Sequence, residues 1–147
     1  MITWKIIAVG KPKLPFAAEG IQEYLLRIRR FAPCETRFLV SPKPEQLRSR
    51  ILEESSQSFR LVLDERGDQS SSQELAELIS AHQLRGTRRI SLIVGGAEGN
   101  SEEIRQKANR LWALSRLTLQ HELALLIAVE QIYRAYSILA GAPYHRG

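Results

Sequence analysis

Val94-Gly95-Gly96-Ala97-Glu98-Gly99 places three glycines within five residues, between an apolar run and a helix-forming stretch. Glycine adopts positive φ at little cost and lets backbone approach a ligand closely. A helix that follows adds free N–H groups and the positive end of its dipole. The same pattern also suits a tight strand-to-helix turn that needs glycine only for steric reasons, and the segment alone leaves both readings open. Glu130 and Arg134 stand four residues apart, so on a helix they share a face and can pair, as a structural ion pair or as part of a site. Tyr144-His145-Arg146 gathers a phenol ring, an imidazole and a guanidinium in consecutive positions. Those groups stack on a base, move a proton and grip a phosphate, although a chain end commonly frays and carries no chemistry.

Other chemistries find no support. No Gly-x-Ser-x-Gly elbow presents a nucleophilic serine, and no Gly-Lys-Ser/Thr follows a glycine loop. Val94 occupies the place of the first glycine in a dinucleotide fingerprint. His121-Glu122 begins like a zinc-binding helix, but Leu125 stands where the second histidine belongs. With one cysteine, Cys34, and three histidines, no metal site is expected. The lone cysteine also favours a reducing, cytoplasmic home. The longest wholly apolar run, Leu123 to Val129, is far short of the roughly 20 residues that span a bilayer, and no signal peptide is expected.

The elements that must position these groups alternate between strand and helix. Strands are expected at Thr3 to Val9, Thr36 to Val40, Phe59 to Leu63 and Ile90 to Val94, with Leu114 to Leu119 as a short fifth. Between them lie a helix carrying Ile21, Leu25 and Ile28, one opened by Pro44 and running to about Ser56, and one marked by Leu75, Leu78 and Ile79. Another helix follows the glycines, capped by Ser101 or Asn100, and a long last one covers His121 to Leu139. This alternation gives an α/β class: a single domain over residues 1–147, with a mainly parallel sheet and helices on both faces. Such sheets bind ligands beyond the carboxyl ends of their strands, which directs attention to the loops after Val9, Leu63, Val94 and Leu119. The last helix carries Leu123, Leu125, Leu126, Ile127, Val129, Ile132, Ile138 and Leu139. That is too much apolar surface for a helix with one wet face, and a two-fold homodimer is the economical way to cover it.

Charge points to the partner. The net charge is +5, and residues 1–50 hold ten Lys/Arg against four Asp/Glu. A basic N-terminal third fits an anionic partner, nucleic acid first, as well as it fits a merely solubilising surface.

Taken in order, Ile6-Ile7-Ala8-Val9-Gly10-Lys11, the glycine loop, Leu114-Ser115-Arg116-Leu117-Thr118-Leu119-Gln120-His121, Glu130-Gln131-Ile132-Tyr133-Arg134-Ala135-Tyr136 and Tyr144-His145-Arg146 resemble the small SPOUT-class methyltransferases of the RlmH type. That family methylates N3 of a pseudouridine in large-subunit (23S) ribosomal RNA. The resemblance spans nearly the whole chain. It implies a C-terminal trefoil knot, a homodimer, no metal, and S-adenosyl-L-methionine as methyl donor. By position it places the donor among Leu63, Gly95, Gly96, Leu114, Ser115, Arg116, Leu117, Thr118 and Leu119. It places catalysis with Glu130, Arg134, Tyr144, His145 and Arg146: His145 as base, Arg134 or Arg146 on carbonyl charge, Glu130 orienting Arg134, and Tyr144 stacking near the base. The chain departs from the pattern at Gln120, where members commonly have proline, and at Leu125, where many have arginine. The competing expectation is a non-catalytic α/β module that only holds ribosomal RNA, which would not need a nucleoside pocket.

Overall fold

In Thr3–Val9, the first strand (β1), Trp4, Ile6 and Ala8 project to one side and Ile7 to the other, and all four are buried. A strand buried on both faces belongs inside a parallel sheet covered by helices. The computed structural model, which describes all 147 residues, has that arrangement. After β1 come α1 (Pro15–Ile28), β2 (Cys34–Leu39), α2 (Pro44–Glu54), β3 (Phe59–Gln69), α3 (Ser72–Leu84), β4 (Arg89–Val94), α4 (Glu102–Gln106), β5 (Arg110–Ala113) and α5 (His121–Leu139). The five strands form one sheet in the order β2-β1-β4-β3-β5, and every neighbouring pair is parallel.

Helices α1, α3 and α5 cover one face over the larger core, which includes Trp4, Ile6, Leu61, Ile90 and Leu92. On the opposite face Ile7, Val62 and Ile93 meet Ile51 of α2 and Ile104 of α4. Helix α5 packs against both α1 and α3. It is tied to the sheet where Trp4 Nε1–H donates to Tyr136 Oη at 2.7 Å, and Phe31 stacks on the Tyr136 ring with centroids 5.7 Å apart.

Local chemistry starts each helix. Pro15 and Pro44 open α1 and α2, where a fixed φ is pre-set for the first turn. Ser71 and Glu74 form a capping box at α3, and the bonds from Ser71 hold the Glu74 carboxyl below its ordinary range. Ser101 caps α4. The Gln120 amide oxygen accepts from the Glu122 and Leu123 N–H groups at 2.8 and 2.9 Å, so the residue that replaces the family's proline caps α5. Leu125 is buried in the main core.

The expected fifth strand over Leu114 to Leu119 is corrected: β5 is Arg110–Ala113, and the following residues are loop up to α5. The reason lies in β3, which is longer than its apolar run. It pairs Leu63 with Trp112, leaves the ladder, and returns with Asp68 opposite the same Trp112, so the pairing ends at Ala113. Gly67 makes this return possible, because a Cβ there would collide with the Leu111 and Trp112 backbone. Beyond it, Ser115 Oγ accepts from the Leu117 N–H at 3.0 Å, a local turn that competes with strand pairing. Leu117 itself is 72% exposed.

Cys34 is buried at the start of β2, and burial pushes its thiol up to about 11. No helix is long and apolar enough to cross a membrane.

His82, buried in the last turn of α3 beside Phe59, shares a 2.8 Å hydrogen bond between its Nδ1 and Thr87 Oγ1. Burial, reinforced by the Arg85 charge, holds its imidazole below the ordinary value. An unfolded chain therefore takes up a proton as pH falls through about 6.5 while the folded chain does not, and stability drops in that window. Urea unfolding at pH 7.5 and pH 5.5 should show a larger loss for the parent protein than for His82→Gln. Equal losses would contradict the assignment.

Candidate functional site

All five strands end at one edge. There the connection after β1 leads to β2 and the connection after β4 leads the opposite way to β5, an arrangement that opens a crevice. A cleft of about 630 Å³ lies at this edge, walled by three segments: the stretch of β3 that leaves the ladder, the loop that follows β4 and the loop that follows β5. Leu63, Asp64, Glu65 and Arg66 come from the first, Gly95 to Asn100 from the second, and Leu114, Ser115, Leu117, Thr118 and Leu119 from the third. His121 and Ala124 of α5 and Arg105 of α4 complete it.

The glycine loop is folded tightly on itself. Gly96 bridges Gly99, whose φ is +77°. A Cβ on Gly95 would sit 2.6 Å from the Gly99 carbonyl carbon, and one on Gly96 would sit 3.1 Å from Val9 Cγ1. Glycine at 95 is thus required by close approach of backbone to backbone, while its peptide groups still border the cleft.

Polar bonds join the three segments. Asn100 Nδ2 donates to the Leu63 carbonyl at 2.8 Å and to Asp64 Oδ2 at 3.4 Å. The Asp64 side chain is 4% exposed; its Oδ1 accepts from the Arg66 N–H at 2.9 Å, and Arg105 Nη1 lies 4.0 Å from Oδ2. Thr118 Oγ1 donates to Glu65 Oε2 at 2.8 Å, which links the third segment to the first. The loop after β1 takes no part in the walls. Its Lys13 and Leu14 N–H groups instead both donate to Glu122 Oε1 at 2.8 Å, fixing the start of α5.

A second constellation is built on the later turns of α5. Arg134 reaches Glu130 Oε2 through Nε at 3.2 Å and Nη2 at 3.0 Å. Tyr144 Oη donates to the same carboxylate oxygen at 2.9 Å, and Gln131 Nε2 donates to Oε1 at 2.7 Å. Arg134 Nη1 donates to His145 Nδ1 at 3.2 Å, and its guanidinium lies 4.7 Å over the Tyr144 ring. From α1, Tyr24 Oη meets Tyr144 Oη at 2.9 Å. Burial, with the Tyr24 and Glu130 bonds added, pushes the Tyr144 phenol well above its ordinary range. Every buried side-chain nitrogen and oxygen in the chain has a partner.

Of the residues expected to hold a methyl donor, Leu63, Gly95, Gly96, Leu114, Ser115, Leu117, Thr118 and Leu119 line the cleft. Arg116 does not; it is exposed and lies outside the walls. Glu130, Arg134, Tyr144 and His145 are brought together, but none of them lines the cleft, and Arg146 is exposed beside them. Glu130 lies six residues beyond Ala124, about 9 Å further along the helix axis. Sequence reasoning missed Asp64, Asn100 and Arg105 in the cleft and Tyr24 in the cluster. The charged run Asp64-Glu65-Arg66 directly after an apolar strand was the available signal for the first. Tyr24 and Tyr144 are 120 residues apart, and no local pattern joins them.

A family model described as "Predicted SPOUT methyltransferase" matches residues 2–145. The chain is 43% identical over 143 residues to the ribosomal RNA large subunit methyltransferase H of Deinococcus radiodurans, covering 97% of each chain. It is 43% identical over 142 residues to a protein of the same name from Thermus thermophilus, again covering 97% of each. Among solved structures, a probable methyltransferase from Bordetella pertussis superposes with a TM-score of 0.57 at 12% identity, covering 91% of this chain and 96% of that one. A probable methylase family protein from Haemophilus influenzae gives 0.56 at 12% identity, covering 99% of this chain and 71% of that one.

Asn100→Ala removes two hydrogen bonds that hold β3 to the glycine loop, one of them to the nearly buried Asp64 carboxylate. The expected loss is about 1–3 kcal/mol of unfolding free energy, measurable by urea denaturation. Unchanged stability would mean that the two segments are held together by something else.

Proposed function

The chain belongs to the SPOUT methyltransferase family, and we propose that it methylates N3 of a pseudouridine in 23S ribosomal RNA with S-adenosylmethionine as methyl donor. The observation that carries this reading is the cleft at the strand ends, bordered by a glycine loop in which Gly95 has no room for a side chain. Its volume, near 630 Å³, lies in the range of small-molecule sites. Leucines from the first and third segments suit the faces of a flat purine, and loop peptide groups suit its hydrogen-bonding edge. When bound, S-adenosylmethionine supplies a sulfonium methyl group as the electrophile. The cleft's residues position it: Leu63, Gly95, Gly96, Leu114, Ser115, Leu117, Thr118 and Leu119 by contact, and Asn100 and Asp64 by holding the loops in place. In this reading residues 1–147 are one cytoplasmic domain, with the C-terminal knot of its family formed where the walls of the cleft and α5 converge.

The cluster of Glu130, Arg134, Tyr144, His145 and Arg146 is proposed to act on the RNA. It lines no part of the cleft within one chain, so a second copy related by a two-fold axis is needed to bring the two together. Half-buried Leu123 and Ile127 on α5 and Phe16 on α1, 58% exposed, support such a homodimer. Exposed Lys11, Lys13 and Arg116, with no carboxylate within 4.0 Å, add positive charge near the same edge for a phosphate backbone. A module that merely held RNA would share this charge but would have no use for the cleft.

Calorimetric titration should detect S-adenosylmethionine binding, and light scattering should return close to twice 16.7 kDa. Gly96→Val, which pushes against Val9, should stay folded by circular dichroism and lose donor binding. A folded variant with parental affinity would overturn the cleft assignment. A version stopping after Pro143 should remain dimeric and bind the donor nearly as well, yet leave the ribosomal RNA of a methylation-deficient strain unmodified by mass mapping. Wild-type methylation by that version would remove the Tyr144–Arg146 segment from the mechanism.

A further inference from the structure

We infer that His145 serves the reaction as a hydrogen-bond donor, through Nε2–H, to a carbonyl oxygen of the target ring, and not as the base that removes its proton. This assignment rests on the proposed methylation of an imide nitrogen and specifies what one residue does in it.

The geometry around the imidazole leaves one tautomer. Arg134 Nη1 lies 3.2 Å from His145 Nδ1. A guanidinium has five N–H donors and no acceptor, so that contact requires the lone pair to be on Nδ1. The ring hydrogen is then on Nε2. For Nε2 to take a proton from substrate it must carry the lone pair, which would place a hydrogen on Nδ1 directly against an Arg134 N–H. The expectation that His145 is the base meets this obstacle.

Arg134 is not free to turn away. Glu130 Oε2 holds it at both Nε and Nη2, and its guanidinium lies over the ring of Tyr144, which is itself pinned between Glu130 and Tyr24. The ionisable groups gathered about this end of α5 are Glu130, Tyr133 and Arg134 on α5, Tyr24 and Arg27 on α1, and Tyr144 and the exposed Arg146 on either side of the imidazole in the chain. The one carboxylate among them already accepts from Arg134, Tyr144 and Gln131. Nε2 makes no hydrogen bond within the chain, so its N–H is available to a ligand.

An N–H donor at this place suits the chemistry. The target nitrogen lies between two carbonyl groups. When its proton leaves to water, the negative charge spreads onto both oxygens. A fixed N–H aimed at one of them stabilises charge as it develops. The nitrogen's electron pair then forms the bond to the methyl carbon as the carbon–sulfur bond breaks, with its electrons remaining on sulfur. Water takes the proton, so the protein needs no side-chain base.

Two measurements test this. Nitrogen-15 spectra of histidine-labelled protein, assigned with His145→Gln, should show Nε2 protonated and Nδ1 bare at neutral pH. In single-turnover methylation of ribosomes, log rate should rise steadily with pH. His145→Ala should lower it by a similar factor at every pH, about 10²–10³-fold, and His145→Gln, which keeps an N–H, should recover part of the loss. A proton on Nδ1 would overturn the assignment. So would a neutral-range inflection in the parent that disappears in His145→Ala, or His145→Gln as slow as His145→Ala. Failure to methylate RNA at all would instead strike the proposed function, and the nitrogen spectrum alone would then decide the tautomer.

Discussion

All five strands point the same way, and most of the molecule's organisation follows from that constraint. A parallel sheet cannot be closed by tight hairpins, so each strand must be followed by a crossover helix, and every carboxyl end comes to the same edge. The helices bury both faces of the sheet, which is why β1 and β4 are apolar on either side. Loops then crowd at one edge, where their backbone polar groups need partners away from the sheet ladder. The cleft is the space left where two of those loops meet the stretch of β3 that leaves its ladder. Its walls are set by strand order before any side chain is chosen.

Side-chain carboxylates hold what the sheet brings together. Asp64 ties the irregular middle of β3 to the loop after β4, Glu122 fixes the loop after β1 to the start of α5, and Glu130 collects Gln131, Arg134 and Tyr144. Each carboxylate accepts at least two hydrogen bonds, and a carboxylate that is mostly removed from water is tolerable only with such partners. The three differ in what they organise. Asp64 shapes a binding space, Glu122 orients a helix, and Glu130 presents a guanidinium and an imidazole in a defined mutual pose. The cleft and the Glu130 cluster are thus two separately built parts on one scaffold, linked through α5.

Elements with strong periodicity or clear caps were legible from the residues. Helix α5 begins and ends where its apolar pattern does, and the order of strands and helices came out whole. The misplaced fifth strand shows where such reasoning stops. Leu114 to Leu119 intersperses three leucines with polar residues and so imitates a short strand, but pairing is decided by the partner, and β3 offers no more ladder beyond Ala113. The glycine loop was found because close backbone approach excludes other residues locally. Asn100 with Asp64, and Tyr24 with Tyr144, were missed because each pairing exists only after the fold brings distant segments into contact. Arg116 was carried along by a contiguous motif, whereas the loop turns its side chain outward between two residues that face in.

The buried thiol of Cys34 has a practical consequence. With a pKa near 11 and no exposure to speak of, it contributes almost no thiolate at neutral pH, and thiolate is the form that alkylating reagents attack. The folded chain is in effect thiol-silent, and its one cysteine needs no replacement before labelling. A cysteine introduced beside the imidazole cluster or on the rim of the cleft would be the sole reactive handle. A spin label or fluorophore attached there would report distances between the two parts, within one chain and between copies, on an otherwise unaltered background.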